Sequence, residues 1–204
     1  MTTLYLIRHA ETAANAEKRI CGAYDGDLSD KGYEQIKMLA AYAPSLEVDI
    51  IYTSPLKRAF KTASAFNWYI NKPLVINDDL REINVGVWEN KLWADIDKAS
   101  QIYDLWVNNP HEFTIDGGED MKDVYFRMAA ALNEIAEAND GKTAAVFSHG
   151  CALRNFMCYA KGYGLERYRE MSFIDNVAVN KLIYDKSRKK FAVIYENDAG
   201  CNKK

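Results

Sequence analysis

Residues 144–150 read Ala-Ala-Val-Phe-Ser-His-Gly, and residues 4–9 read Leu-Tyr-Leu-Ile-Arg-His. Each is a short apolar run that ends on a histidine. Such a run, bounded by polar residues, reads as a buried strand. Leu4 to Ile7 is therefore the first predicted strand and Thr143 to Ser148 a later one. A helix is predicted after Gly150, through Leu153, Phe156 and Met157. In open parallel sheets the ligand site lies at the carboxyl ends of the strands. Two strands of this kind bring His9 and His149 to one edge.

The rest of the chain supports that sheet. Ser29 is placed to cap a helix over about 30–43, with Ile36, Leu39, Ala40 and Ala43 on one face. Val48 to Thr53 reads as a strand ending at Ser54-Pro55. Proline is tolerated in a first helical turn, so a helix over Leu56 to Ile70 should follow. Leu74 to Ile76 is another short strand, and Glu119 to Asn139 carries a helical period. Val177 to Tyr184 and Phe191 to Tyr195 alternate about the basic run Lys186 to Lys190, which reads as a solvated hairpin turn. Strands alternating with helices predict a three-layer α/β/α sandwich with a mostly parallel sheet. No linker or repeat divides residues 1–204, so one domain is expected. Residues 84–118 break the alternation, with helical patches around Leu92 to Val107, and read as a lid or insert.

Composition sets limits. A chain of 204 residues can bury roughly 70% of its extended surface, enough for a core without disulfides or structural metal. Hydrophobic residues make up 49% and charged residues 27%, which excludes collagen-like, coiled-coil and disordered classes. A net charge of −3 argues against a nucleic-acid partner. No apolar run approaches the roughly 20 residues of a membrane span, and Met1-Thr2-Thr3-Leu4 has no signal-peptide character. Cys21, Cys151, Cys158 and Cys201 form no C-x-x-C pair, so a cytoplasmic protein with free thiols is expected.

The chemistry sits at the strand ends. Arg58 follows the strand at Val48 to Thr53 by one helical turn, so Arg8, Arg58, His9 and His149 can converge. Guanidiniums bind phosphate bidentately and stay charged. A neutral imidazole is a nucleophile. Together they fit phosphoryl transfer through a phosphohistidine. A metal site is the competing reading, but fixed positive charge beside two histidines repels an ion, and zinc wants three or four ligands. Asp25 to Asp30 hints at a calcium loop, yet Asp30 stands at its sixth position and Ile36 at its twelfth, so it reads as a turn and cap. No nucleotide-binding glycine string occurs, and no cofactor is implied. Glu11 reads as a partner of a nearby arginine and His111 as solvent-exposed. Trp88, Trp93 and Trp106, with Tyr103 and Phe113, read as the core of the lid, or else as a wall for the leaving group.

These residues stand in a familiar order. Arg8-His9-Ala10-Glu11-Thr12 with Asn15, Gly22 with Asp25 and Leu28-Ser29, Ser54-Pro55-Leu56-Lys57-Arg58-Ala59, Leu80-Arg81-Glu82 with Gly86, Trp88 and Glu89, Gly117-Gly118-Glu119, and Ser148-His149-Gly150 follow one another along the chain. The series resembles the motifs of the histidine phosphatase superfamily, also called phosphoglycerate mutase-like. The resemblance implies that fold and assigns roles. His9 would be the phosphorylated nucleophile. Arg8, Arg58 and His149 would hold the phosphoryl oxygens, and Glu82 would be the proton donor and then the base. Asn15 and Gly150 would contact the phosphate, and Gly22 would belong to the substrate-binding residues. Ala10, Asn90 and Asp120 depart from the usual Gly, Gly and Ser.

The family holds phosphatases and mutases. Mutases of the family usually carry an insert with paired arginines and a C-terminal tail over the site. Here the insert has Lys91 and Lys98 and no Arg-Arg pair, and the tail ends at Asn202-Lys203-Lys204. Hydrolysis of a small phosphorylated metabolite is therefore the expected reaction. A phosphoglycerate mutase or a non-catalytic phosphoester-binding protein on the same fold is the alternative.

Overall fold

The computed structural model describes residues 1–199; Cys201 and Asn202-Lys203-Lys204 lie outside them. Six strands form one sheet: β1 (Thr2–Arg8), β2 (Ile50–Thr53), β3 (Leu74–Ile76), β4 (Thr143–Ser148), β5 (Val179–Asp185) and β6 (Lys190–Asp198). Their order is β3-β2-β4-β1-β5-β6. The β2–β3, β2–β4 and β1–β4 pairs are parallel, whereas β1–β5 and β5–β6 are antiparallel. The hairpin thus closes one side of an otherwise parallel sheet.

The helices are α1 (Ala13–Ala16), α2 (Asp30–Tyr42), α3 (Lys57–Asn67), α4 (Gln101–Asn108), α5 (Met121–Ala138) and α6 (Gly150–Ala160). Period-two alternation sorts the strand residues to two faces. Leu4, Leu6, Ala144 and Val146 join Val124, Met128, Leu132, Leu153 and Phe156 of α5 and α6 in one core. Tyr5, Ile7, Ala145 and Phe147 join Leu39 of α2 and Ala63 and Phe66 of α3 in the other. This is the expected three-layer sandwich.

Two local expectations are corrected. Pro55 lies before α3 rather than in its first turn, because Leu56 is the extended cap residue and the helix opens at Lys57. Strand β2 starts at Ile50 rather than Val48. Ser29 does cap α2, its side chain accepting from the Gly32 N–H. Residues 84–118 contain α4 and short 3-10 turns at Gly86–Trp88, Trp93–Asp95 and Pro110–Glu112. Trp88, Ile96 and Phe113 from this segment are buried in the α5–α6 core.

Candidate active site

Register fixes the two histidines side by side. Arg8 of β1 pairs with Ser148 of β4, so His9 and His149 each stand one residue beyond the paired ends. The His9 N–H donates to the Ser148 carbonyl at 3.0 Å, and the two rings are 5.1 Å apart. Strand β2 ends level with them, since the Ser54 N–H donates to the Phe147 carbonyl.

The hydrogen bonds select a tautomer. His9 Nδ1 lies 2.7 Å from the Ala10 carbonyl. A carbonyl only accepts, so Nδ1 carries the proton and Nε2 keeps its lone pair. His149 is held from the opposite nitrogen, with Nε2 2.8 Å from Ser54 Oγ. Its Nδ1 is buried with no partner among the described residues.

Both arginines are buried. Arg58 is 1% exposed and donates to the Tyr24 and Gly22 carbonyls at 2.8 and 2.7 Å. Arg8 donates to the Ile174 carbonyl at 2.7 Å and stands 5.0 Å from the Phe173 ring centre. Each keeps an Nε–H without an acceptor among the described residues. Buried donors are nearly always satisfied, so these two N–H groups, beside two histidines, suit an anion with several oxygens.

Glu82 faces the same place. Its Oε1 accepts from the Ala152 and Ile83 N–H groups at 2.8 and 3.0 Å, and Oε2 accepts from Cys151 N–H at 3.0 Å. Two of those donors belong to the first turn of α6, where the helix dipole favours negative charge. Arg8, Glu82, Asn15 and Gly150 line a cavity of about 590 Å³. His9, His149 and Arg58 are buried and do not themselves form its wall.

Some expected residues stand elsewhere. Gly22 does not face the cavity; its N–H is taken by Glu89 and its carbonyl by Arg58. A Cβ there would fall 2.0 Å from the Ile83 carbonyl oxygen, which is why glycine is required. Asn15 is on the wall, with Oδ1 accepting from the Thr12 N–H in a capping box at α1. Glu11 pairs with Lys31 at 2.9 Å and accepts from Ser29, not from an arginine. Burial opposes that charge, but the Lys31 and Ser29 hydrogen bonds win and hold its pKa below the usual carboxylate value. His111 is half-buried rather than exposed. In the aromatic insert Trp88 is 6% exposed in the core, while Trp93 and Trp106 line the cavity.

Three residues at the site were missed. Asn176 donates to the His9 carbonyl at 2.8 Å. Glu89 accepts from the N–H groups of Gly22, Ala23, Tyr24 and Val85, and so fixes the loop whose carbonyls hold Arg58. Arg127 makes a two-pronged pair with Glu119 and donates to the Asp79, Arg81 and Glu82 carbonyls. It clamps the segment that carries Glu82.

Burial first, then Arg58 and Arg8, holds the His9 pKa well below 6.5. Burial first, then Arg58, His9 and Arg8, does the same to His149. Both rings are therefore neutral at pH 7. A neutral buried imidazole binds fewer protons folded than unfolded, so stability is full above about pH 6.5 and falls as pH drops below it. The expected slope is up to about 1.4 kcal/mol per pH unit for each ring. Urea unfolding at pH 7.5 and 5.5 measures this, above the range where carboxylates titrate. Equal stabilities at the two pH values would mean that these rings are not held neutral.

A sheet edge with neutral imidazoles and paired guanidiniums defines an α/β protein that works on phosphate esters. The comparisons with known proteins are specific. Residues 4–197 match the model of the histidine phosphatase superfamily (branch 1), and the chain belongs to that family. It is 34% identical over 169 residues to phosphoserine phosphatase 1 of Hydrogenobacter thermophilus, covering 82% of this chain and 80% of the relative. It is 32% identical over 192 residues to a probable phosphoglycerate mutase, GpmB, of Cronobacter sakazakii, covering 92% and 87%. The solved structure of YhfR from Bacillus stearothermophilus superposes with a TM-score of 0.92 at 30% identity, covering 98% and 99%. Together with the insert's lack of paired arginines, the phosphoserine phosphatases among the relatives support the phosphatase over the mutase, and the chain is a phosphoric monoester hydrolase. Among the described residues no helix is long and apolar enough to cross a membrane.

Proposed function

We propose that this chain hydrolyses small phosphorylated metabolites in two steps through a phosphohistidine on His9. The observation that carries the reading is the His9 Nδ1 bond to the Ala10 carbonyl, which leaves Nε2 as the nucleophilic atom. Nε2 attacks phosphorus, and the P–O bond to the alcohol breaks. Arg8, Arg58 and His149 Nδ1 donate to the phosphoryl oxygens as their charge grows. Glu82, carrying a proton on Oε2, which accepts from one N–H alone, gives it to the leaving oxygen. As a carboxylate it then takes a proton from water, whose oxygen attacks phosphorus and frees His9. The Gly150 N–H, at the start of α6, adds a donor to the phosphate. In this reading residues 1–204 act as one domain, with 84–118 as the cover of the cavity, and no nucleic acid takes part.

The two guanidiniums supply the charge that a metal ion would otherwise bring, so turnover of p-nitrophenyl phosphate is expected to survive EDTA. Among the described residues no group of three or more His, Cys, Asp or Glu is placed to hold an ion. Rapid mixing in EDTA should also give acid-labile phosphate on the enzyme. A tenfold loss on chelation, restored by a divalent ion, would overturn the reading.

A further inference from the structure

The cavity carries a cation for which the two-step chemistry has no use. Arg154 lies on α6, one turn past Gly150 and about 6 Å along the helix axis. Helical side chains lean back toward the helix N-terminus, so its guanidinium reaches toward the end where Gly150 and Glu82 stand. There it lines the cavity beside them. It stacks 4.4 Å from the Tyr168 ring centre and donates Nη2 to the Met171 carbonyl at 3.0 Å. Its Nε–H is buried without a partner, and no carboxylate among the described residues pairs with it. The neighbouring Arg19 differs, being held by Glu17 at 2.6 Å and by the Asn90 carbonyl.

The charges on the wall then sort themselves. Arg8 serves the phosphoryl group, and Lys18, also on the wall, is a compact ammonium on a flexible stem that lacks the planar fork a carboxylate fits. Glu11 is held by Lys31 and Ser29, and Glu82 by three N–H groups. Arg154 remains fixed in orientation by its stack and its one hydrogen bond, with donors to spare. A planar guanidinium in that state suits a carboxylate. We propose that Arg154 reads a carboxylate on the alcohol half of the substrate, so that the preferred substrates are small phosphorylated hydroxy acids or hydroxy amino acids. Among the described residues no uncommitted carboxylate lines the cavity to read an ammonium group, so the amino group is not required. This inference rests on the phosphatase reading above.

The test compares kcat/KM for O-phosphoserine against O-phosphoethanolamine, which differ by the carboxylate alone, and for 3-phosphoglycerate against glycerol 3-phosphate. Wild type should favour the carboxylated member of each pair by about tenfold or more, chiefly through KM, as one charge-assisted hydrogen bond would give. O-phosphoserine and 3-phosphoglycerate should lie within a few-fold of each other. Arg154→Met should bring both ratios close to one, and Arg154→Lys should keep part of them. The ratios are internal to each protein, so a general loss of activity does not distort them. Wild-type ratios near one, or ratios unchanged in Arg154→Met, would overturn the assignment. A strong demand for the amino group would do the same. Failure of the phosphatase reading itself would look different, for then none of the four esters, nor p-nitrophenyl phosphate, would release phosphate.

Discussion

His9→Ala is expected to lose phosphomonoester hydrolysis by several powers of ten, with every leaving group alike. The variant removes the atom on which the phosphoryl group is carried, and a pathway through a covalent intermediate has no partial form without its nucleophile. No neighbour can substitute. His149 Nε2 is tied to Ser54, and in the mechanism proposed above its Nδ1 carries the proton that holds the phosphate. The Cys151 thiol is pushed up to about 12 by burial, so it is not a thiolate at neutral pH. The variant should still fold, because the ring contributes little to either apolar core and its main-chain bonds to Ser148 and Asn176 do not need it. Substrate should still bind, since Arg8, Arg58 and His149 remain. The measurement is steady-state phosphate release, paired with a thermal melt and with a search for acid-labile phosphate on the protein. Activity within tenfold of wild type in a folded His9→Ala protein would end the phosphohistidine mechanism.

The parts of this site that were legible in the sequence are those that depend on one strand or one turn. Leu4 to Ile7 and Thr143 to Ser148 are apolar enough to admit only a buried strand, and their histidines follow directly. Ser29 announces its helix because a cap acts three residues away. Strand order was not legible. The pairing of β1 with β4 joins residues about 140 apart, and nothing local encodes it. Arg127 shows the same limit. On α5 it reads as one more charged residue on a helix, and its purpose comes from carbonyls at 79, 81 and 82, over forty residues earlier. Its motif places Gly22 among the substrate-binding residues, whereas space decides its identity: the Ile83 carbonyl fills the volume a Cβ would need. The sequence order suggests an arginine partner for Glu11, but Lys31 reaches it from the first turn of α2.

Glu82→Gln should separate proton transfer from nucleophilic attack. The substitution keeps the side chain's shape but removes its acidity. It also turns an amide N–H₂ toward one of the backbone donors at Ile83, Cys151 or Ala152, so about 1–3 kcal/mol of stability should be lost as well. Activity must therefore be read below the melting range. If Glu82 is the acid, its importance depends on the leaving group. An alkoxide leaves poorly without a proton, whereas p-nitrophenolate leaves readily. General acid catalysis is worth about 10²- to 10⁴-fold where it is needed. Hydrolysis of an alkyl phosphate should fall by that factor, while the nitrophenolate burst should fall far less. The phosphohistidine formed in the burst should then persist, because the same carboxylate is the base for water. Rapid mixing with both substrates, following nitrophenolate and acid-labile enzyme phosphate, reads all three effects. Equal losses of burst rate with both leaving groups would rule out the acid role. Glu89 could not inherit it, since its two oxygens already accept four backbone N–H groups. Nor could Glu11, which is held as a carboxylate by Lys31 and Ser29. The proton would then have to arrive from solvent through the cavity, and the rate with alkyl esters should in that case rise with buffer concentration.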